Sequence, residues 1–168
     1  RWSWRGDPTD IALLAMAGKG GVERDHLLVR HPAVNTIPFE PEHRFAASFH
    51  RDGEGTWVAV KGAPERVLDM CSITAAARLS VQAAAVDMAG RGHRVLALAS
   101  GRLPIAVTPA EIPDEPAELR FAGLVGLIDP LRPEVAGAVR RCNDAGIRVI
   151  MVTGDHPVTA FAIARQLG

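Results

Sequence analysis

The sequence predicts an α+β fold: an antiparallel sheet flanked by helices, followed by a partial βαβα unit of a doubly wound α/β domain. Three observations predict it. Residues 45–50 and 56–60 have β character and flank Asp52-Gly53-Glu54-Gly55, a loop of hairpin length with turn formers at its centre. Residues 147–152 are almost continuously apolar, as a strand covered on both faces is. The rhythm also changes near Asp129-Pro130, from mostly antiparallel elements to alternating strand and helix.

The elements follow in order. Asp7 is placed to cap a helix, Pro8 suits its first position, and Asp10 in the first turn complements the dipole. Residues 11–17 continue it, and Gly18-Lys19-Gly20-Gly21 stops it. That glycine run follows a helix, not a strand, and lacks the Gly-Lys-Ser/Thr ending of a phosphate loop. A second helix is predicted over 23–31, and a short strand over 35–39. After the hairpin come helices over 63–70 and 75–89, the latter burying Val81, Ala84, Ala85 and Met88. Gly90 and Gly92 end it before a strand over 95–99, and 104–116 is a proline-spaced connection. Strands over 121–128 and 147–152 then alternate with helices over 133–145 and 157–167, the βαβα unit with its right-handed crossover. Val135, Ala138, Val139 and Cys142 form the predicted buried stripe of the first of these helices, and Gly146 its stop. The division predicted is 1–128 and 129–168.

Composition bounds the function. At 168 residues the chain fits one domain, or one domain with a piece of another. With 48% hydrophobic and 23% charged residues it reads as a soluble globular protein. No apolar run approaches the roughly 18 to 20 residues that cross a bilayer. Arg1-Trp2-Ser3-Trp4-Arg5 leads into a turn and helix, not a signal peptide, and the first residue is not Met, as expected of a piece of a longer chain. The formal net charge is zero, so no nucleic-acid partner is expected and any anion site is local. Cys71 and Cys142 are predicted to be buried and reduced, and without a Cys/His ligand pattern no metal site is predicted.

Several residues are candidates for nucleotide chemistry. Phe39 offers a stacking surface, although a lone Phe in a strand also serves as core. Arg44 is a candidate cation or a solvated strand edge. Lys61 ends the second hairpin strand just before Gly62, where the backbone is free to open toward a ligand; a strand-end Lys is also plain surface. Thr153-Gly154-Asp155 follows the apolar run at its carboxyl end and leads into a helix N-terminus, where open α/β sheets bind ligands and phosphate is favoured. There Asp155 also reads as a simple helix cap.

Lys61-Gly62-Ala63-Pro64-Glu65 resembles the K-G-A-P-E signature of the ATP-binding domain of P-type cation pumps, and Thr153-Gly154-Asp155 resembles their T-G-D loop. Gly6-Asp7-Pro8-Thr9-Asp10 resembles G-D-P-T-E, and Pro38-Phe39 through Arg44 matches P-F-x-x-x-x-[KR]. Gly92-His93-Arg94-Val95-Leu96-Ala97 resembles G-x-R-x-L-A, and Asp129-Pro130-Leu131-Arg132 the D-P-P-R hinge. The resemblance implies that Phe39 stacks on adenine, Asp10 accepts from its amino group, and Lys61 lines the base of the pocket. It implies that Arg44 faces the base and ribose-phosphate region, Arg94 reaches toward the phosphates and Leu96 covers the base. Thr153 and Gly154 would touch the γ-phosphate, and Asp155 would orient the Mg2+-bound ATP. The first division is then the nucleotide-binding domain, and the second part of the haloacid-dehalogenase-like phosphorylation domain, with Asp129 and Arg132 at the hinge.

The implied parent is an integral membrane pump of the calcium, sodium-potassium or proton class. It carries this part on the cytoplasmic face, beside its phosphorylation, actuator and transmembrane domains, and hydrolyses ATP. The piece itself is expected to be monomeric. Asp10, Pro41 and Ala46 depart from the family pattern, which implies modest ATP affinity, and Leu131 in place of the second Pro implies a less rigid hinge. Neither the D-K-T-G segment bearing the phosphorylated Asp nor the G-D-G-x-N-D loop occurs in this chain, so no autophosphorylation is expected. A haloacid-dehalogenase-like phosphatase is the alternative from another class, but its D-x-D-x-T nucleophile motif is absent. A non-catalytic interaction module that keeps only the fold is the third reading.

Overall fold

A computed structural model describes residues 6–103, 107–128, 131–153 and 157–167. Helix α1 (Pro8–Lys19) begins as its residues dictate: the Asp7 carboxylate accepts from the Thr9 amide at 2.8 Å, and Pro8 opens the first turn. It ends at Gly20, with Gly21 at φ +77°. Helix α2 (Arg24–Arg30) precedes edge strand β1 (Ala33–Ile37), which pairs antiparallel with β2 (Phe45–Asp52). The predicted hairpin joins β2 to β3 (Gly55–Gly62), with Asp52 opposite Gly55 and Gly53 at φ +61° in the first central position. Helices α3 (Pro64–Asp69) and α4 (Ala75–Gly90) follow, then β4 (Arg94–Leu103) and β5 (Arg120–Leu127). The sheet order is β1-β2-β3-β4-β5, antiparallel throughout.

The period of two divides the sheet into unlike faces. Phe45, Ala47 and Phe49 of β2, Val58 and Val60 of β3, and Ala97 and Ala99 of β4 are buried. They form one core with Val67 and Met70 beneath α3. The alternate residues lie on the other face, where β2 and β3 set Ala46 opposite Lys61, Ser48 opposite Ala59 and His50 opposite Trp57. Apart from Trp57 and the long Lys61 these are small or polar, and the face lies open beneath α1. Arg66 fastens α3 to the 107–119 connection by two bonds to Glu115 of 2.9 and 2.6 Å, over the Phe45 ring.

The C-terminal part departs from the sequence reading. Helices α5 (Val135–Asp144) and α6 (Pro157–Leu167) form. The expected strand over 147–152 does not: that segment is irregular and exposed, Ile150 at 74% and Val152 at 92%. The expected first strand of the βαβα unit is β5, which pairs antiparallel with β4. A strand covered on both faces needs neighbours whose backbone groups complete its ladder. Among the described residues no strand pairs with 147–152, so its apolar content does not become sheet. The predicted stripe Val135, Ala138, Val139 and Cys142 is only half-buried for the same lack of a covering layer, and Ala84 of α4 is exposed. Cys71 is buried, Cys142 half-buried, and both are free thiols.

Candidate nucleotide site

A cavity of about 900 Å³ opens between the first turns of α1 and the hollow face of the sheet. Asp10, Phe39, Lys61, Gly62, Arg94 and Leu96 all line it. They come from α1, the β1–β2 loop, the end of β3 and the start of β4. The sheet register accounts for much of this gathering. Lys61 lies opposite Leu98, Gly62 opposite Ala97 and Ala46 opposite Lys61, so the ends of three strands meet at one wall.

Phe39 lies beyond the end of β1 and is 54% exposed, so it is not strand core. Its ring area is available to a planar ligand. Gly62 has a different role from the one its sequence position suggests. A Cβ there would stand 2.5 Å from the Arg44 carbonyl oxygen and 2.8 Å from Phe45 Cα, so glycine is required by the close approach of β2. Lys61 is ion-paired with Asp10, which ties α1 to β3. Burial pulls the Lys61 ammonium below the ordinary lysine range, and the nearby Asp7 carboxylate offsets part of that effect. The wall therefore holds a half-buried cation flanked by two carboxylates of one helical turn.

Arg44 stands apart from the cavity. It holds the left-handed conformation at φ 57°, and its guanidinium donates to Glu65 at 2.7 Å. Its carbonyl accepts from the Ala63 amide at 3.0 Å. These contacts brace the turn from β3 into α3, so its side chain does not line the cavity as the resemblance implied. Thr153 is exposed and outside the lining, and Arg132 is exposed. Gly154, Asp155 and Asp129 lie outside the described residues. Among the described residues no three His, Cys, Asp or Glu side chains gather to hold a metal ion.

Sequence reading passed over Trp57, Ser48, Thr36 and Ser100, all of which line the cavity. The signal was present. Counting back by twos from Lys61 gives Ala59 and Trp57 on the same face.

The cavity thus brings an exposed aromatic, a half-buried lysine paired with Asp10 and the Arg94 side chain around a largely apolar floor. The family model described as P-type ATPase, cytoplasmic domain N, matches residues 1–134, and the chain belongs to this family. Among similar proteins, the cation-transporting ATPase pma1 of Synechocystis sp. is 40% identical over 99% of this chain and 19% of its own length. The sodium/potassium exporting P-type ATPase cta3 of Schizosaccharomyces pombe is 40% identical over 99% of this chain and 17% of its own. The calcium-transporting ATPase 1 of Bacillus cereus is 35% identical over 99% and 20%. The chain thus spans about a fifth of the length of these relatives. No helix among the described residues is long and apolar enough to cross a membrane.

Proposed function

We propose that this chain is the ATP-binding part of a cation-transporting P-type ATPase, a pump that couples ATP hydrolysis to ion movement across a membrane. One observation carries the reading: Asp10, Phe39, Lys61, Gly62, Arg94 and Leu96, taken from separate motifs, line a single cavity. Adenine stacks on Phe39 with Leu96 against it, its amino group donates to Asp10, and Lys61 and Arg94 meet the anionic end. Arg44 supports the site by holding Glu65 and the turn after Lys61. Magnesium enters bound to ATP.

In this reading residues 1–128 are the nucleotide-binding domain and 129–168 part of the phosphorylation domain. Asp129 and Arg132 lie at the hinge, and Thr153, Gly154 and Asp155 position the γ-phosphate and its magnesium. The partners are the remaining phosphorylation, actuator and transmembrane domains, and the site faces the cytoplasm. Calorimetric titration tests the proposal. ATP and ADP should bind within a few-fold of each other, with Kd of roughly 0.1 to 10 mM, since stacking of the shared base dominates. No heat from either nucleotide at several millimolar would contradict it and favour an interaction module.

A further inference from the structure

A second cavity, of about 670 Å³, adjoins the first along the hollow face of the sheet. Thr36, Ser48, Trp57 and Ala59 line both, so the two share a floor. They also share a wall. Asp10 and Leu13 of α1 line the nucleotide cavity, while Leu14 and Ala17 line the second. Positions i, i+3, i+4 and i+7 follow one helix face, so a single face of α1 runs from Asp10 across both spaces. Leu14 is four residues, about 6 Å of rise, beyond Asp10.

We propose that the second cavity is an apolar subsite of the nucleotide site, and that it takes an aryl group carried on the amino nitrogen of adenine. The inference rests on the nucleotide reading, which sets that amino group beside Asp10. A substituent there has one turn of α1 to cross before it meets Leu14, Leu28 and the Trp57 ring. The chemistry of the cavity selects a neutral group. His50 Nδ1 lies 3.0 Å from the His31 carbonyl, and His31 Nδ1, 3.4 Å from Asp52, is buried without a hydrogen bond of its own. Glu23 and Arg24, at its other side, lie against His26 and Asp25 at 3.4 and 3.6 Å. The surface left for a ligand is mostly aliphatic and aromatic, from Leu14, Leu27, Leu28 and Trp57, and an edge-to-face or offset contact with Trp57 suits a phenyl ring. Small side chains at Ala59 and Ser48 keep the shared floor low enough for the ring to pass.

Calorimetric titration of ATP against N6-benzyl-ATP tests this, on the unsubstituted chain and on Ala17→Phe and Ala33→Phe. Ala17 and Ala33 line the second cavity and not the first. The expected result is that N6-benzyl-ATP binds about tenfold more tightly than ATP, from burial of the benzyl area. Each substitution should erase that gain and leave ATP affinity within about a factor of two. Ala33→Phe places an aromatic in a strand, where it is well tolerated, and covers the case in which Ala17→Phe disturbs α1. Equal affinity for the two nucleotides on the unsubstituted chain overturns the subsite and leaves the ATP reading standing. A gain that survives both folded variants also overturns it. Failure of ATP itself to bind removes both proposals.

Discussion

Phe39→Ala separates a stacking residue from a core residue by two magnitudes that point in opposite directions. Truncating a fully buried Phe costs about 3 to 5 kcal/mol of stability. Phe39 is 54% exposed and lies outside β1, so less than half of that applies, about 1 to 2 kcal/mol. For a chain of this size that lowers Tm by only a few degrees. On the binding side, one base–aromatic stack is worth roughly 1 to 3 kcal/mol, so ATP affinity should fall about tenfold or more. Phe45→Ala is the matched control: at 1% exposure, within the core under α3, it should cost the full amount and largely unfold the domain. Calorimetric titration with ATP, together with thermal melts of each variant, reads both quantities. Phe39→Ala that binds ATP normally would refute the stacking role. A melt that collapses as far as that of Phe45→Ala would refute the assignment of Phe39 to the cavity surface.

Other outcomes follow from the same geometry. Because burial lowers the proton affinity of Lys61, the unfolded chain binds more protons between its folded pKa and the ordinary lysine value; stability should therefore rise with pH across that alkaline window. ATP affinity should fall across the same window as the ammonium is lost, and Lys61→Met should flatten both profiles in titrations and melts. Gly62→Ala sets a Cβ against the Arg44 carbonyl, so it should destabilise the domain by about 1 to 3 kcal/mol in denaturant unfolding. Incubation with γ-labelled ATP and magnesium, followed by an acid quench, should leave no hydroxylamine-sensitive label on the chain, since no Asp-Lys-Thr-Gly is present to accept phosphate.

The sheet was legible because its signals are local. Gly53 sits at the positive φ that a tight hairpin demands, and Asp7, Pro8 and Gly20 mark the ends of α1 by their own backbone chemistry. Several motif residues gather at one cavity for a related reason: they stand at the ends of those elements, where register brings Lys61, Gly62 and Leu96 to one wall. The place of Arg44 outside the lining was not legible because its direction depends on Glu65, twenty-one positions away, and on a left-handed backbone that no spacing reveals. The 147–152 run was misjudged because an apolar run reports burial only when a covering layer is at hand. Its residues and those of β5 look alike in sequence, yet only β5 has β4 beside it. Trp57 was overlooked because its face was decided by alternation from Lys61, not by any motif.

Chemical-shift mapping of ATP binding on the isotope-labelled chain tests the central claim most directly. Resonances of Asp10, Phe39, Lys61, Arg94 and Leu96 should shift together along one saturation curve with a Kd of roughly 0.1 to 10 mM, while the core residues Phe49 and Val67 stay in place. No movement at Phe39, Lys61 and Arg94 with several millimolar ATP would contradict the assignment of this cavity to a nucleotide.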